Sequence, residues 1–144
     1  MIGELTKAWA AGLFDGEGSA LIEKRVDIKK PSFQIVVAVA GTDEVITGPV
    51  MEIWGGHHRK TRDISKWNEG ATRLDCAVYF TRKEARVFLA DIFPYLTGKR
   101  EEVTVVLQAI VAQEKAIRES GLRGSSFVLE PYYTRLQSIR NPLK

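Results

Sequence analysis

The sequence predicts an α+β domain in which helices alternate with two β-hairpins, and three observations carry that expectation. Apolar residues recur at helical spacing between Leu5 and Leu13, and again across Thr81–Ile92 and Val103–Ile117. Two pairs of segments, Ser19–Lys29 with Ser32–Ala40 and His57–Ile64 with Ala71–Phe80, read as strands joined by polar turns. At 144 residues, 44% of them hydrophobic, the chain can bury a core of its own, and a single domain over residues 1–144 accounts for it.

The first helix carries Leu5, Trp9 and Leu13 on one stripe and Ala8, Ala11, Gly12 and Asp15 on another. The second stripe is nearly bare of side chains, which lets another helix approach closely. Gly16 and Gly18 are suited to ending the helix. Asp15 and Glu17 then fall at its C-terminal end, where the macrodipole is already negative and a carboxylate calls for a compensating partner. In the first hairpin Ala20, Ile22 and Val26 share one parity against Leu21, Glu23 and Arg25. Lys29, Lys30 and Pro31 form a basic turn, and Phe33, Ile35, Val37 and Val39 then lie opposite Ser32 and Gln34. Thr42 or Asp43 can cap a second helix that buries Val45, Ile46, Val50, Ile53 and Trp54. Gly48 and Pro49 inside it predict a kink or a restart at Thr47, and Gly55 and Gly56 close it.

The next segment, HHRKTRDI, leaves two registers open. Its polar face carries His57, Arg59 and Thr61 in one, and His58, Lys60 and Arg62 after a one-residue slip. A loop with Lys66 and Trp67 follows, and the fourth strand sets Leu74, Cys76, Val78 and Phe80 against Arg73, Asp75, Ala77 and Tyr79. Thr81 and Glu84 match a capping box for a helix that buries Ala85, Phe88, Leu89 and Ile92 and ends at Pro94. A longer helix opens at Lys99 and Arg100, turns Val103, Val106, Leu107, Ile110, Val111 and Ile117 inward, and stops near Gly121. Residues 121–130 read as a linker to a short C-terminal helix that starts at Pro131 and carries Tyr133, Leu136 and Ile139.

Lys and Arg number 21 against 18 Asp and Glu, a net charge of +3, so a nucleic-acid partner is favoured only where the basic residues cluster. The lone cysteine, Cys76, excludes an intrachain disulfide and suits a reducing compartment. No apolar run approaches the ~20 residues of a membrane span. The expectation is an intracellular protein of the cytoplasm or an organelle matrix, with no membrane partner. His57 and His58 are adjacent in a strand and point to opposite faces, so they do not chelate zinc together.

The stretch Ala10–Ser19, AAGLFDGEGS, resembles the signature of the LAGLIDADG homing endonucleases. Ala10 stands for the first Leu of that motif, Ala11, Gly12 and Leu13 match, and Phe14 stands for Ile. Asp15 matches, Gly16 stands for Ala, Glu17 for the second Asp, and Gly18 matches. The element order is that of one LAGLIDADG unit, α-β-β-α-β-β-α-α, so the resemblance covers nearly the whole chain, with one copy of the motif. It implies an antiparallel, saddle-shaped four-stranded sheet with helices on one face. It also implies a homodimer joined through the opening helix at Ala8, Ala11, Gly12 and Asp15.

The implied activity is that of an intron-encoded homing endonuclease that makes a staggered, metal-dependent double-strand cut in a long, roughly palindromic DNA site. Glu17 is the implied ligand of Mg2+ or Mn2+, helped by the Gly16 carbonyl. Lys99 matches the family's active-site lysine, and Asp15 would cap, position or assist. The implied DNA contacts are Glu23, Arg25, Lys29, Lys30, Ser32, Gln34, Arg59, Thr61, Lys66, Trp67, Arg73 and Asp75. Two departures stand out: Glu17 is a methylene longer than Asp, and Gly41 occupies a position where relatives often carry Gln. The alternative on the same fold is an RNA-splicing maturase, with intron RNA as partner, or a DNA-binding protein that does not cleave.

Overall fold

The computed structural model describes residues 2–26, 29, 31–41, 44–63, 74–121 and 125–142, with backbone alone at 44, 59–63 and 74–76. Helix α1 (Glu4–Glu17) runs directly into β1 (Gly18–Arg25), followed by β2 (Ser32–Gly41), α2 (Glu44–Trp54), β3 (His57–Asp63) and β4 (Leu74–Tyr79). Helix α3 (Arg82–Ile92), a 3-10 turn (Phe93–Tyr95), α4 (Arg100–Ser120), a second 3-10 turn (Ser125–Leu129) and α5 (Glu130–Arg140) complete the described chain. The strands form one antiparallel sheet in the order β1-β2-β4-β3. This is the α+β order the sequence predicts. Among the described residues no helix is long and apolar enough to cross a membrane.

The chain divides into two compact units, Met1–Ser19 with Val37–Thr97, and Ala20–Val36 with Gly98–Lys144. The first is built around Phe88, a fully buried residue of α3. Its ring meets Phe14 edge-on at 5.8 Å and Trp54 edge-on at 5.0 Å, and stacks on Phe80 at 4.6 Å. Each such aromatic pair adds about 0.5–1.5 kcal/mol beyond the area it buries. Trp54 satisfies its indole N–H by donating to Asp91 Oδ2 at 2.9 Å, which ties α2 to α3.

Helix α1 stops without a left-handed cap. Gly18 is extended (φ −91°, ψ 159°), so its role is not backbone freedom. A Cβ built there would overlap the Phe14 ring, so the glycine admits Phe14 to the core. In the second unit α4 buries Val103, Val105, Val106, Ala109 and Ile110. Leu129, Leu136, Ala20, Ile22 and Phe33 are buried in the same unit, and Phe33 packs on Tyr133 with ring centres 5.4 Å apart.

Several expectations are corrected. The restart expected at Thr47 does not occur: one α-helix runs from Glu44 to Trp54 with Pro49 inside it. A proline's missing N–H and steric clash are tolerated where burial on both sides holds the helix, here Thr47 before it and Val50 and Trp54 after it. The buried face is rotated from the expected one, leaving Val45 78% exposed and Ile46 and Ile53 each 39%. Val111 on α4 is exposed, its place in the core taken by Val105 and Ala109. Val26 lies beyond the end of β1 and is exposed. The segment expected to be a linker contains the 3-10 turn Ser125–Leu129, in which Ser125 and Leu129 are buried. Thr42 and Asp43, the expected caps of α2, lie outside the described residues.

The capping box of α3 is present: Thr81 Oγ1 accepts the Glu84 N–H, and Glu84 Oε1 accepts the Thr81 N–H at 3.0 Å. Glu84 Oε2 also accepts the Gly56 N–H at 2.9 Å. The main-chain N–H of Thr81, then that of Gly56, hold the Glu84 carboxyl below its usual value, with His57 a weaker contributor.

Two outcomes are expected. Because Phe14 is fully buried, the clash raised by Gly18→Ala has no cheap relief, and the variant should lose about 1–3 kcal/mol of stability in urea unfolding. Because the Glu84 carboxyl titrates lower in the folded than in the unfolded chain, its contribution is complete above the unfolded value and fades as pH falls through the folded one. Urea midpoints taken from about pH 6 down to about pH 3 should therefore fall more steeply for the wild type than for Glu84→Gln.

Candidate active site and nucleic-acid face

The end of α1 places two carboxylates two residues apart in different surroundings. Ala10, Ala11 and Phe14 bury the inner side of the helix. Asp15 is half-buried, and its Oδ2 accepts the main-chain N–H of Thr97 at 2.8 Å, fastening the helix end to the turn beyond α3. A main-chain donor aimed at an acid offsets the unfavourable end of the helix dipole. Glu17 is the last residue of the helix and is exposed. It stands immediately before Gly18, whose contact with Phe14 fixes the chain at that point.

Hard divalent cations take carboxylate oxygens, so the chemistry of Glu17 fits such an ion. Among the described residues no three His, Cys, Asp or Glu side chains gather to hold one. Gly16 beside Glu17 is exposed as well. Lys99, in the other unit, is the half-buried N-cap residue of α4, as the sequence predicts.

The small-residue stripe of α1 divides. Ala11 is wholly buried within its own unit, Asp15 is half-buried, and Ala8 and Gly12 are exposed. On the exposed side Leu5 and Trp9, 89% and 44% exposed, line with Thr6, Pro49 and Ile53 an apolar groove of about 360 Å³ between α1 and α2. The sequence did not single out this groove, because it assigned Ile53 to the core.

Strand pairing resolves the open register. His57 pairs with Tyr79, His58 with Val78, Arg59 with Ala77 and Lys60 with Cys76. Val78 is fully buried, so positions 57 and 59 lie on the opposite face, with Tyr79 and Ala77. Ala38 and Ala40 of β2 pair with the same two residues. On that face the exposed His57 ring stacks on Tyr79 with centres 6.2 Å apart. His58 points the other way, its Nε2 3.1 Å from the Oγ1 of the buried Thr47. Between Lys60 and Asp63 the pairing shifts, which removes Thr61 from the simple alternation.

In the second unit Glu23, Arg25, Lys29 and Gln34 are exposed and Ser32 is half-buried. Lys30, Lys66, Trp67 and Arg73 lie outside the described residues, as do the side chains of Arg59, Thr61 and Asp75. Gly41 ends β2 opposite Cys76. The sequence reading passed over His57 and Tyr79 as a pair. The signal was present in the alternation of β4, which puts Tyr79 on the face of Asp75, but the open register of β3 hid its partner.

No protein-family model matches the chain, and a search of curated proteins returned no match. Solved structures match it in fold. The homing endonuclease I-CvuI in complex with the I-CreI target aligns with a TM-score of 0.64 at 23% identity, over 90% of this chain and 80% of that one. The group I intron-encoded homing endonuclease I-CeuI complexed with DNA gives 0.68 at 12% identity, over 94% of this chain and 68% of that one. The I-LtrWI LAGLIDADG homing endonuclease bound to target DNA gives 0.61 at 15% identity, over all of this chain and 46% of that one. The chain has the fold of the LAGLIDADG homing endonucleases.

Proposed function

We propose that this protein is a divalent-metal-dependent DNA endonuclease that acts as a homodimer. The observation that carries the reading is the exposed Glu17 carboxylate at the end of a helix that also exposes the small residues Ala8 and Gly12. The similarity in fold to DNA-bound homing endonucleases, some studied with Mg or Ca, supports it. A second copy seated on Ala8, Gly12 and the groove beside Trp9 would bury apolar surface now exposed and bring two Glu17 carboxylates together. The face of His57, Arg59 and Tyr79 would then meet the major groove, where a β-ribbon fits and reads base edges, and Glu23, Arg25, Lys29, Ser32 and Gln34 of the second unit would contact DNA in their own right.

On this reading Glu17 holds the metal, with Gly16 beside it, and Lys99 stabilises negative charge on the phosphate. A bound Mg2+ or Mn2+ supplies activation of water and neutralisation of the scissile phosphate. Asp15 acts by position, holding the helix end through Thr97. The alternative on the same fold is an RNA-splicing maturase or a DNA-binding protein that does not cleave; the acid at position 17 favours the nuclease.

Two experiments test the reading. With magnesium and a library of candidate DNA sites, Glu17→Gln should bind DNA within about twofold of the wild type and lose at least ~100-fold in cutting, a barrier increase of about 2.7 kcal/mol. Unchanged cutting would sink the assignment. Asp15→Ala should differ by modestly lowering thermal stability as well, since it removes the bond that ties the end of α1 to Thr97. Separately, nothing lies within 4 Å of a Cβ built at Gly12, so Gly12→Leu should leave the monomer folded, with the helix favoured by about 0.5–1 kcal/mol. The same variant should convert a dimer, measured by sedimentation, into a monomer that does not cut.

A further inference from the structure

The register of β3 is not set by the burial of an apolar face. The strand reads HHRKTRD and contains no apolar residue, so burial of an apolar face gives it no preference between two registers. A slip by one residue would exchange its faces while keeping a polar strand in the same ladder. At the far end the pairing is already irregular between Lys60 and Asp63, so downstream pairs do not enforce the upstream ones. Yet one register is adopted, with His57 opposite Tyr79.

What is particular to the start of β3 is a pair of anchors from outside the hairpin. The first is Glu84, held at the start of α3 by the Thr81 N–H on Oε1, which takes the Gly56 N–H on Oε2. The second is the buried Thr47 of α2, bonded to the His58 ring. Gly55 and Gly56, with φ of 87° and 92°, bend the chain so that the Gly56 N–H reaches the carboxylate. After a slip the Gly56 N–H would leave Glu84, and His58 would turn outward and strand the Thr47 hydroxyl.

We infer that Glu84 is a positioning residue for DNA reading: by taking the Gly56 N–H it sets the register of β3, and so presents positions 57 and 59, not 58 and 60, on the face of Tyr79 and Ala77. The consequence for DNA rests on the proposed function, whereas the register itself does not. A residue with this role has a distinctive signature. Losing it costs modest stability, because a slipped polar strand still pairs, but it changes which side chains meet the bases.

The test uses the full chain and Glu84→Gln, whose single amide oxygen cannot serve both N–H donors as the carboxylate does. Thr81→Ala is the control, since it removes the cap hydroxyl and leaves both bonds to the Glu84 carboxylate in place. Cross-strand nuclear Overhauser contacts between β3 and β4 report the register in the free protein. Binding to a selected site and to versions with single base changes reports discrimination. In Glu84→Gln the 57–79 contacts should weaken or be joined by a second, slipped set. Base discrimination should fall roughly tenfold, with affinity for random-sequence DNA within about twofold. Thr81→Ala should change neither. Glu84→Asp, which keeps the charge but shortens the reach, replaces the amide if that variant does not fold. An unaltered single set of 57–79 contacts in the Glu84 variant overturns the inference. A wild type that binds no DNA would instead overturn the proposed function, and the register contacts alone would then decide the role of Glu84.

Discussion

The end of α1 depends on the Phe14 ring occupying the space that a side chain at residue 18 would need. Phe14 is fully buried and sits edge-on to Phe88, which also carries Trp54 and Phe80. Through that one ring, α1, α2, α3 and the residue after β4 share a core. The helix can therefore pass straight into β1 with no intervening loop, and the residue at the junction, Glu17, is held by its neighbours on both sides. An exposed carboxylate on an exposed loop would wander; here the exposure comes with a fixed backbone.

The same helix end explains why two acids so close together have separate duties. Asp15 faces the turn at Thr97 and accepts its N–H, which is a structural bond within the unit. Glu17, two residues further on, is turned to solvent. A helix C-terminus disfavours both charges. For Asp15 the cost is offset by a main-chain donor, and for Glu17 a cation would offset it on the proposed reading. On that reading the two acids divide the work, Asp15 serving the fold and Glu17 the chemistry.

Much of this was legible in the sequence, and the failures have physical causes. The helix of Ala85, Phe88, Leu89 and Ile92 and its capping box were readable because a strong helical period coincided with a start signal. The stop of α1 at Gly18 was readable, but its reason was not. Positive φ and close approach both select glycine, and only coordinates reveal the ring beside it. In α2 the apolar residues come in adjacent pairs, Val45 with Ile46, Val50 with Met51 and Ile53 with Trp54, so periodicity could not choose a face, and Thr47 took a core place that Val45 and Ile46 were expected to share. The bond from Asp15 to Thr97 joins residues 82 apart in sequence, beyond the reach of any local pattern.

Strand β3 shows the limit most sharply, and the limit is itself informative. A strand that alternates apolar and polar residues carries its register in its sequence, as β1 does with Ala20 and Ile22 buried and Glu23 and Arg25 exposed. A strand that must present varied polar groups cannot also carry that signal, since changing any of its residues would change the register along with the contact. Placing the register in Glu84 and Thr47, outside the strand, separates the two demands. Apart from His58, which bonds Thr47, the residues of β3 are then free to differ without moving the strand, and the ambiguity met in reading HHRKTRD is what a surface with exchangeable contacts requires.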